Sequence, residues 1–268
     1  MASPQLSDTQ GSPPEAALKI ESYFIRHTGL LANQTVLKLG EYNLIVVPAT
    51  LSKSGGTALV VLTLAEVVLF SQFTTQMSTL TLNFQALDSE KVNRLHIKTH
   101  LDSITPVPGR KDVNILKLKF KTCPADFEQL ISTYASEQAV RREYYSHTPG
   151  EIIEIKPHTV ALLGYNGYCE ILGEKPRRIA LRGLSTKKAL LANTGGWDDM
   201  ENGSKFFLKL YFKKFQFMLE ATMEELPDNP RGIATVGLGF SNELLDILED
   251  YQFRLTMLKK KASGEKIS

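Results

Sequence analysis

Ile115-Leu116-Lys117-Leu118-Lys119-Phe120 alternates apolar and basic side chains. Successive side chains of a strand point to opposite faces, so this run reads as a half-buried strand. Three residues later the period changes. Cys123-Pro-Ala-Asp-Phe-Glu-Gln-Leu-Ile131, running on to Tyr134, sets Phe127, Leu130, Ile131 and Tyr134 on one helical face. Pro124 stands where the first turn of a helix tolerates it. The same sequence of events recurs near the other end of the chain. Thr235-Val-Gly-Leu-Gly-Phe240 is a second strand ending in Phe, and Asn242-Glu-Leu-Leu-Asp-Ile-Leu-Glu-Asp-Tyr251 opens a second amphipathic helix. Ser241 or Asn242 can cap that helix.

Working outward from these two strand–helix pairs, more of the chain repeats. Leu80 to Phe84 resembles Leu208 to Phe212, and Leu95 to Leu101 resembles Phe217 to Met223. A Pro/Gly turn follows each, at Pro106 to Gly109 and Pro227 to Gly232. Val36-Leu-Lys-Leu39 is matched with Ile152-Ile-Glu-Ile155. Leu44 to Val47 and Leu59 to Leu64 are further β-rich runs, and Pro14 to His27, with Ala17, Leu18, Ile20, Tyr23 and Phe24 at near-helical spacing, reads as a short entry helix. Short strands with no helix between them imply antiparallel barrels or sandwiches. The expected fold is therefore mainly β, two tandem antiparallel β-barrels each followed by an α-helix. The helices are expected at about 123–137 and 241–260.

The chain has 268 residues, 43% hydrophobic and 22% charged, the composition of a folded globular protein. Its 31 basic and 29 acidic residues leave a net charge of +2. That balance argues against a dedicated binder of DNA or RNA. Cys123 and Cys169 stand far apart with no CxxC, which supplies neither a disulfide framework nor a zinc site. The first 18 residues lack the basic start and apolar core of a signal peptide. Ala58 to Phe70, the most apolar stretch, is too short to span a bilayer. The expected compartment is the cytoplasm, without membrane insertion.

Enzyme motifs such as GxSxG, HExxH, the P-loop and GxGxxG do not occur, so no catalytic residue and no enzyme activity are expected. His96 and His100 have a helical zinc spacing but alternate with Leu95, Ile97 and Leu101, which puts them on the wet face of a strand rather than on a metal. Trp197-Asp-Asp-Met-Glu201, flanked by glycines, reads as an exposed loop. Two basic features remain. One is Arg141-Arg142-Glu-Tyr-Tyr145 at the junction of the repeats. The other is Lys175 to Lys188, with Lys175, Arg177, Arg178, Arg182, Lys187 and Lys188 and no acid. Several cations around one strand and a turn that offers Ser185 suit a compact, doubly charged anion.

An arginine pair at a domain junction, a small barrel with Leu-Ser at a strand–turn, and a C-terminal helix resemble the PilZ family of bacterial cyclic di-GMP receptors. The resemblance covers 138–260 as a PilZ domain and, more weakly, 30–137 as a PilZ-like N-terminal barrel. Residues 1–14, rich in Ser, Pro, Gln and Gly, read as a disordered tail. The expected domains are 15–137 and 138–260, followed by a basic tail at 261–268. The family motif RRxxxR falls on Arg141 to Ser146, with both leading arginines and Ser146 in the last place. The motif D/N-x-S-x-x-G falls on Gly183 to Lys188, with Ser185 kept, Gly183 in the acidic place and Lys188 in the glycine place. Each lost bidentate contact costs about 1–3 kcal/mol, so the motif is degenerate and binding is expected to be weak.

The resemblance implies a non-enzymatic bacterial regulator with cyclic di-GMP as regulatory ligand and no other cofactor. Arg141, Arg142, Ser185, Arg182, Lys187 and Lys188 would bind the ligand, and the two domains would rearrange and bind a protein partner. The alternative is a nucleotide-independent adaptor that only binds a protein. Restoring Ser146→Arg and Gly183→Asp is expected to strengthen nucleotide binding.

Overall fold

The computed structural model describes residues 17–86, 90–173, 176–213, 215–229 and 231–263. The expected tail at 1–14, Lys175 and residues 264–268 of the expected basic tail lie outside them. The chain divides into two compact units, Met1–Glu137 and Gln138–Ser268.

Unit 1 opens with β1 (Leu18–Lys19), α1 (Ser22–Thr28), β2 (Val36–Leu39), β3 (Tyr42–Ile45), β4 (Val47–Leu51) and β5 (Gly55–Val61). Then come α2 (Leu64–Ser71), β6 (Met77–Gln85), β7 (Val92–Pro106) and β8 (Val113–Thr122). Its antiparallel sheet has the order β1-β4-β5-β8-β7-β6-β2-β3. The alternating run Ile115 to Phe120 lies in β8. It points Leu116 and Leu118 into the core and Lys117 and Lys119 outward, as its alternation requires. Helix α3 (Ala125–His147) follows it and buries Phe127, Ile131 and Tyr134.

Unit 2 holds β9 (Ile153–Glu154), α4 (Pro157–Leu163), β10 (Tyr165–Leu172), β11 (Arg177–Leu184) and β12 (Lys188–Ala192). It continues with β13 (Lys205–Phe212), β14 (Gln216–Glu225), β15 (Ile233–Leu238) and α5 (Asn242–Ser263). Its order is β10-β13-β14-β15-β12-β11-β9, and β10 also pairs with β11. That extra ladder, through Cys169↔Ile179 and Ile171↔Arg177, closes six strands into a barrel. Leu208, Leu210, Leu191, Val236 and Leu244 form part of its core. Ser241 is the cap of α5: its Oγ accepts from Leu244 N–H at 3.2 Å.

The expectation of two tandem barrels is corrected to one. The order β4-β5-β8-β7-β6 in unit 1 matches β11-β12-β15-β14-β13 in unit 2. Unit 1 lacks the closing step. Among the described residues no ladder joins β2 to β4, although Val46 N–H donates to Thr35 O at 3.0 Å. The reason lies at the β2 edge. β2 is only four residues long, and β3 folds back onto it through Val36↔Ile45 and Leu39↔Tyr42. The β1–β4 pairing through Leu18↔Leu51 does not make the difference, because β9 pairs with β11 in the same way. In unit 2 the eight residues of β10 reach both neighbours.

Two further differences follow from local chemistry. The β-rich run Leu59 to Leu64 ends as a strand at Val61, and Leu64 already belongs to α2. Thr63 and Glu66 make a capping box, with Thr63 N–H donating to Glu66 Oε2 at 2.8 Å, and this starts α2. The match of Val36–Leu39 with Ile152–Ile155 is also displaced. β9 corresponds to β1, because each is a two-residue strand placed before a seven-residue helix that ends on a left-handed glycine. These glycines are Gly29 (φ 71°) and Gly164 (φ 68°). The backbone oxygens of both accept from an equivalent place, Gln85 N–H at 2.8 Å and Lys213 N–H at 2.7 Å.

Candidate functional site

The arginine pair lies just past the boundary between the two units. It stands inside α3, which continues ten residues beyond the expected end at 137. The run Ala135-Ser-Glu-Gln-Ala-Val-Arg-Arg-Glu contains mostly good helix formers and neither Gly nor Pro, so nothing local stops the helix there. Consecutive helical residues point about 100° apart, and the two arginines have different surroundings.

Arg141 is tied to the first turn of α5. Its Nε donates to Asn242 Oδ1 at 2.7 Å, and its Nη2 donates to Asn242 O at 3.1 Å and to Asp246 Oδ1 at 2.5 Å. Asn242 Nδ2 in turn donates to Gln138 Oε1 at 2.7 Å. The side chain is 23% exposed, so these charge-assisted bonds are partly shielded from water. Arg142 is exposed and lays its guanidinium over Phe240, 4.4 Å from the ring centroid. Phe240 meets Tyr145 edge-on at 5.4 Å. The Tyr145 hydroxyl donates to Leu238 O at 3.1 Å, and burial raises its phenol above the ordinary value.

The second motif forms the β11–β12 turn. Ser185 is buried, and its hydroxyl is committed to the turn. It accepts from Lys188 N–H at 2.8 Å and Lys187 N–H at 3.2 Å, and donates to Lys188 O at 3.1 Å. Thr186 beside it is 7% exposed, and its Oγ1 has no hydrogen-bond partner among the described residues. Lys187 bridges the two motifs. Its Nζ donates to Ser146 O at 3.1 Å and stands 5.6 Å from the Tyr145 ring, while its backbone oxygen accepts from Leu238 N–H at 2.7 Å.

The other cations of the basic run diverge from this point. Lys188 pairs with Glu224 at 2.7 Å. Arg182 points outward from β11, and its backbone oxygen accepts from Ile155 N–H at 2.9 Å. Arg177 pairs with Asp199 at 2.6 Å. Arg178 reaches Glu170 at 3.5 Å and covers the Tyr168 ring at 4.7 Å. At about 3.3 Å per residue, Arg177 is roughly 20 Å along the strand from Gly183. Gly183 is buried and paired with Glu154 of β9 and Leu190 of β12. A Cβ there would lie 2.5 Å from Ile152 Cγ2 and 3.0 Å from Leu190 Cδ1.

The structure thus brings together Arg142, Tyr145, Phe240 and Lys187. It separates Arg141, Lys188, Arg177 and Arg178 from them by binding each to an acid. Sequence reasoning missed Phe240 as a member of this cluster. Its one signal was its place at the end of the last β-rich run, Thr235 to Phe240. Among the described residues, no group of three or more His, Cys, Asp and Glu is placed to hold a metal ion, and His96 and His100 bond instead to Thr81 and to the Gln76 backbone.

No family model and no curated protein matches this chain. Similar solved structures do occur. The PlzA protein of Borreliella burgdorferi in complex with c-di-GMP is 14% identical, with 89% of this chain and 94% of that chain covered and a TM-score of 0.44. YcgR of Escherichia coli in complex with c-di-GMP is 10% identical over 90% and 89%, at 0.29. The MrkH–c-di-GMP complex of K. pneumonia is 6% identical over 91% and 93%, at 0.31. Identities and scores this low leave the function to be argued from the chain's own residues.

A concavity lies in unit 1. A cleft of about 350 Å³ is lined by His27, Thr28, Asp126, Gln129, Tyr134 and Glu137 among others. His27 Nε2 is 2.8 Å from Glu137 Oε2 across it.

Proposed function

We propose that this protein is a non-enzymatic, cytoplasmic regulator of PilZ type whose second unit takes a cyclic dinucleotide weakly. One observation carries the reading: Lys187 of the β11–β12 turn donates to the Ser146 carbonyl, which joins the two halves of the degenerate motif. Arg142 and Lys187 supply two cations for phosphate, and Phe240 and Tyr145 an aromatic surface. Phosphate neutralisation survives such a set, but a guanine edge loses its carboxylate acceptor, so affinity falls before charge selectivity does. The output is a change in the relative pose of the units with capture of a protein partner, limited by the ligand's differential affinity for the two poses.

Calorimetric titration with cyclic di-GMP tests this. Weak binding that is lost in both Arg142→Ala and Lys187→Ala supports it. Tight binding indifferent to both substitutions overturns the site. The second reading, a nucleotide-independent adaptor, is favoured by Arg141 already holding Asn242 and Asp246 and by Ile152 standing over Gly183. No heat with any cyclic dinucleotide, in a folded protein, gives that reading the lead.

A further inference from the structure

The balanced charge of the whole chain conceals a separation that the fold of unit 1 exposes. Between residues 91 and 121 stand eight Lys and Arg against two acids, Asp102 and Asp112. β7 and β8 pair antiparallel, and alternation sends most of these cations to one side. Arg94, His96 and Lys98 are exposed along β7, with His100 half-buried beyond them, and Lys117, Lys119 and Lys121 are exposed along β8. His100 stands opposite Lys119, and Lys98 opposite Thr122. Asp102 bonds Lys119 at 2.5 Å and Lys117 at 3.4 Å, and the Lys119 bond is the chief reason its carboxyl lies below the ordinary value. Arg94, Lys98 and Lys121 carry the rest of the charge.

The outward row of β8 changes character two residues before Lys117. Ile115 faces Leu59 of β5, which faces Val47 of β4, and Val113 faces Val61. Val61 is 73% exposed. The chain then turns into α2, where Leu64 (81% exposed) and Val68 stand four residues apart on one helical side. Beyond Val113 the β7–β8 turn adds Arg110 and Lys111, both exposed. Exposed aliphatic side chains are therefore flanked by cations at both ends of one strand.

We propose that this outer face of the unit 1 sheet adsorbs to the surface of an anionic phospholipid bilayer. Each half of the face matches one layer of that surface. Lys and Arg match the headgroup phosphates, each worth about fivefold in partition near the surface. Val61, Leu64 and Val68 match the acyl boundary beneath. Nucleic acid offers no aliphatic layer to these residues, and no Phe, Tyr or Trp stands among the outward residues of β7 and β8 to stack on bases. The contact is peripheral: no helix among the described residues is long and apolar enough to cross a membrane. It is independent of the dinucleotide reading, because it uses unit 1 alone.

Sedimentation of the full chain with vesicles tests the proposal. Binding is expected to vesicles of phosphatidylcholine with phosphatidylserine and not to phosphatidylcholine alone. It is expected at about 0.1 M salt and not at about 1 M, where the screening length falls to about 3 Å. Lys98→Gln with Lys121→Gln removes two exposed charges and lowers partition about thirtyfold. Val61→Ser with Leu64→Ser lowers it about tenfold and leaves its salt dependence intact. Failure of the unaltered protein to sediment with the anionic vesicles overturns the proposal. So does unchanged partition of folded variants. Retention on duplex DNA or polyglutamate without vesicle binding assigns the face to that partner instead and equally overturns it.

Discussion

Ile152 occupies the space directly over Gly183: a methyl group added at 183 would lie 2.5 Å from Ile152 Cγ2. This changes the outcome of the motif repair. Gly183→Asp is expected to destabilise the protein instead of restoring a guanine contact, because the carboxylate has no room and its neighbours are apolar. Overpacking of this kind costs about 1–3 kcal/mol. The pair Gly183→Asp with Ile152→Ala recovers most of that loss. Thermal melts of the single and double variants check it, and equal melting of all three proteins contradicts the contact.

The two arginines are expected to separate by phenotype. Arg141→Ala leaves Asn242 and Asp246 without their partner and costs about 2 kcal/mol, the typical scale of bonds to charged groups. Arg142→Ala leaves Phe240 slightly more exposed and changes stability by less than about 1 kcal/mol. Urea unfolding distinguishes them. A midpoint that moves for Arg142 and not for Arg141 reverses the assignment.

The readable part of the fold was its local part. The change of period between Phe120 and Phe127, and again between Phe240 and Leu244, identified both strand–helix pairs because neighbouring residues carry the whole signal. α2 was legible too, in Thr63 and Glu66, but the surrounding apolar run masked it. The open sheet was not legible. It depends on β3 pairing with β2, and whether β2 reaches β4 is a question of geometry between distant residues. At the site, residue types were readable and their commitments were not. Ser185 folds its hydroxyl into its own turn, and Arg141 spends its fork on α5.

The two thiols are expected to differ sharply. Cys169 is fully buried in the barrel, its Sγ donates to Ile179 O at 3.3 Å, and burial pushes its thiol up to about 12. Only the thiolate reacts, so Cys169 is inert at neutral pH, and Cys123, half-buried, is the one labelled by a thiol reagent. The raised value also sets a sign. An unfolded thiol ionises near 8.5 and the folded one does not, so this contribution to stability is complete below about 8.5 and is lost as pH rises toward 12. Burial raises Tyr165 as well, in the same direction. Unfolding midpoints measured from pH 7 upward are expected to fall, and to fall less in Cys169→Ala.

The equivalent helix-ending glycines provide the last test, one that reads the repeat itself. Gly29 and Gly164 both adopt positive φ, where an L side chain costs about 1–2 kcal/mol. Their surroundings differ. A Cβ at Gly29 would lie 2.0 Å from Gln85 O, a backbone atom held in the β6 ladder. A Cβ at Gly164 meets only the Lys213 side chain, at 3.9 Å. Gly164→Ala is therefore expected to cost the conformational term alone. Gly29→Ala must in addition shift α1 away from β6, breaking the Gln85 N–H to Gly29 O bond and the Leu30↔Phe84 bridge. A bond left unmade there adds about 1–3 kcal/mol. Chemical denaturation of the two variants should show the larger loss at position 29. Equal losses would mean that unit 1 yields at this corner as easily as the closed barrel does, and that the two glycines are equivalent in space as well as in place.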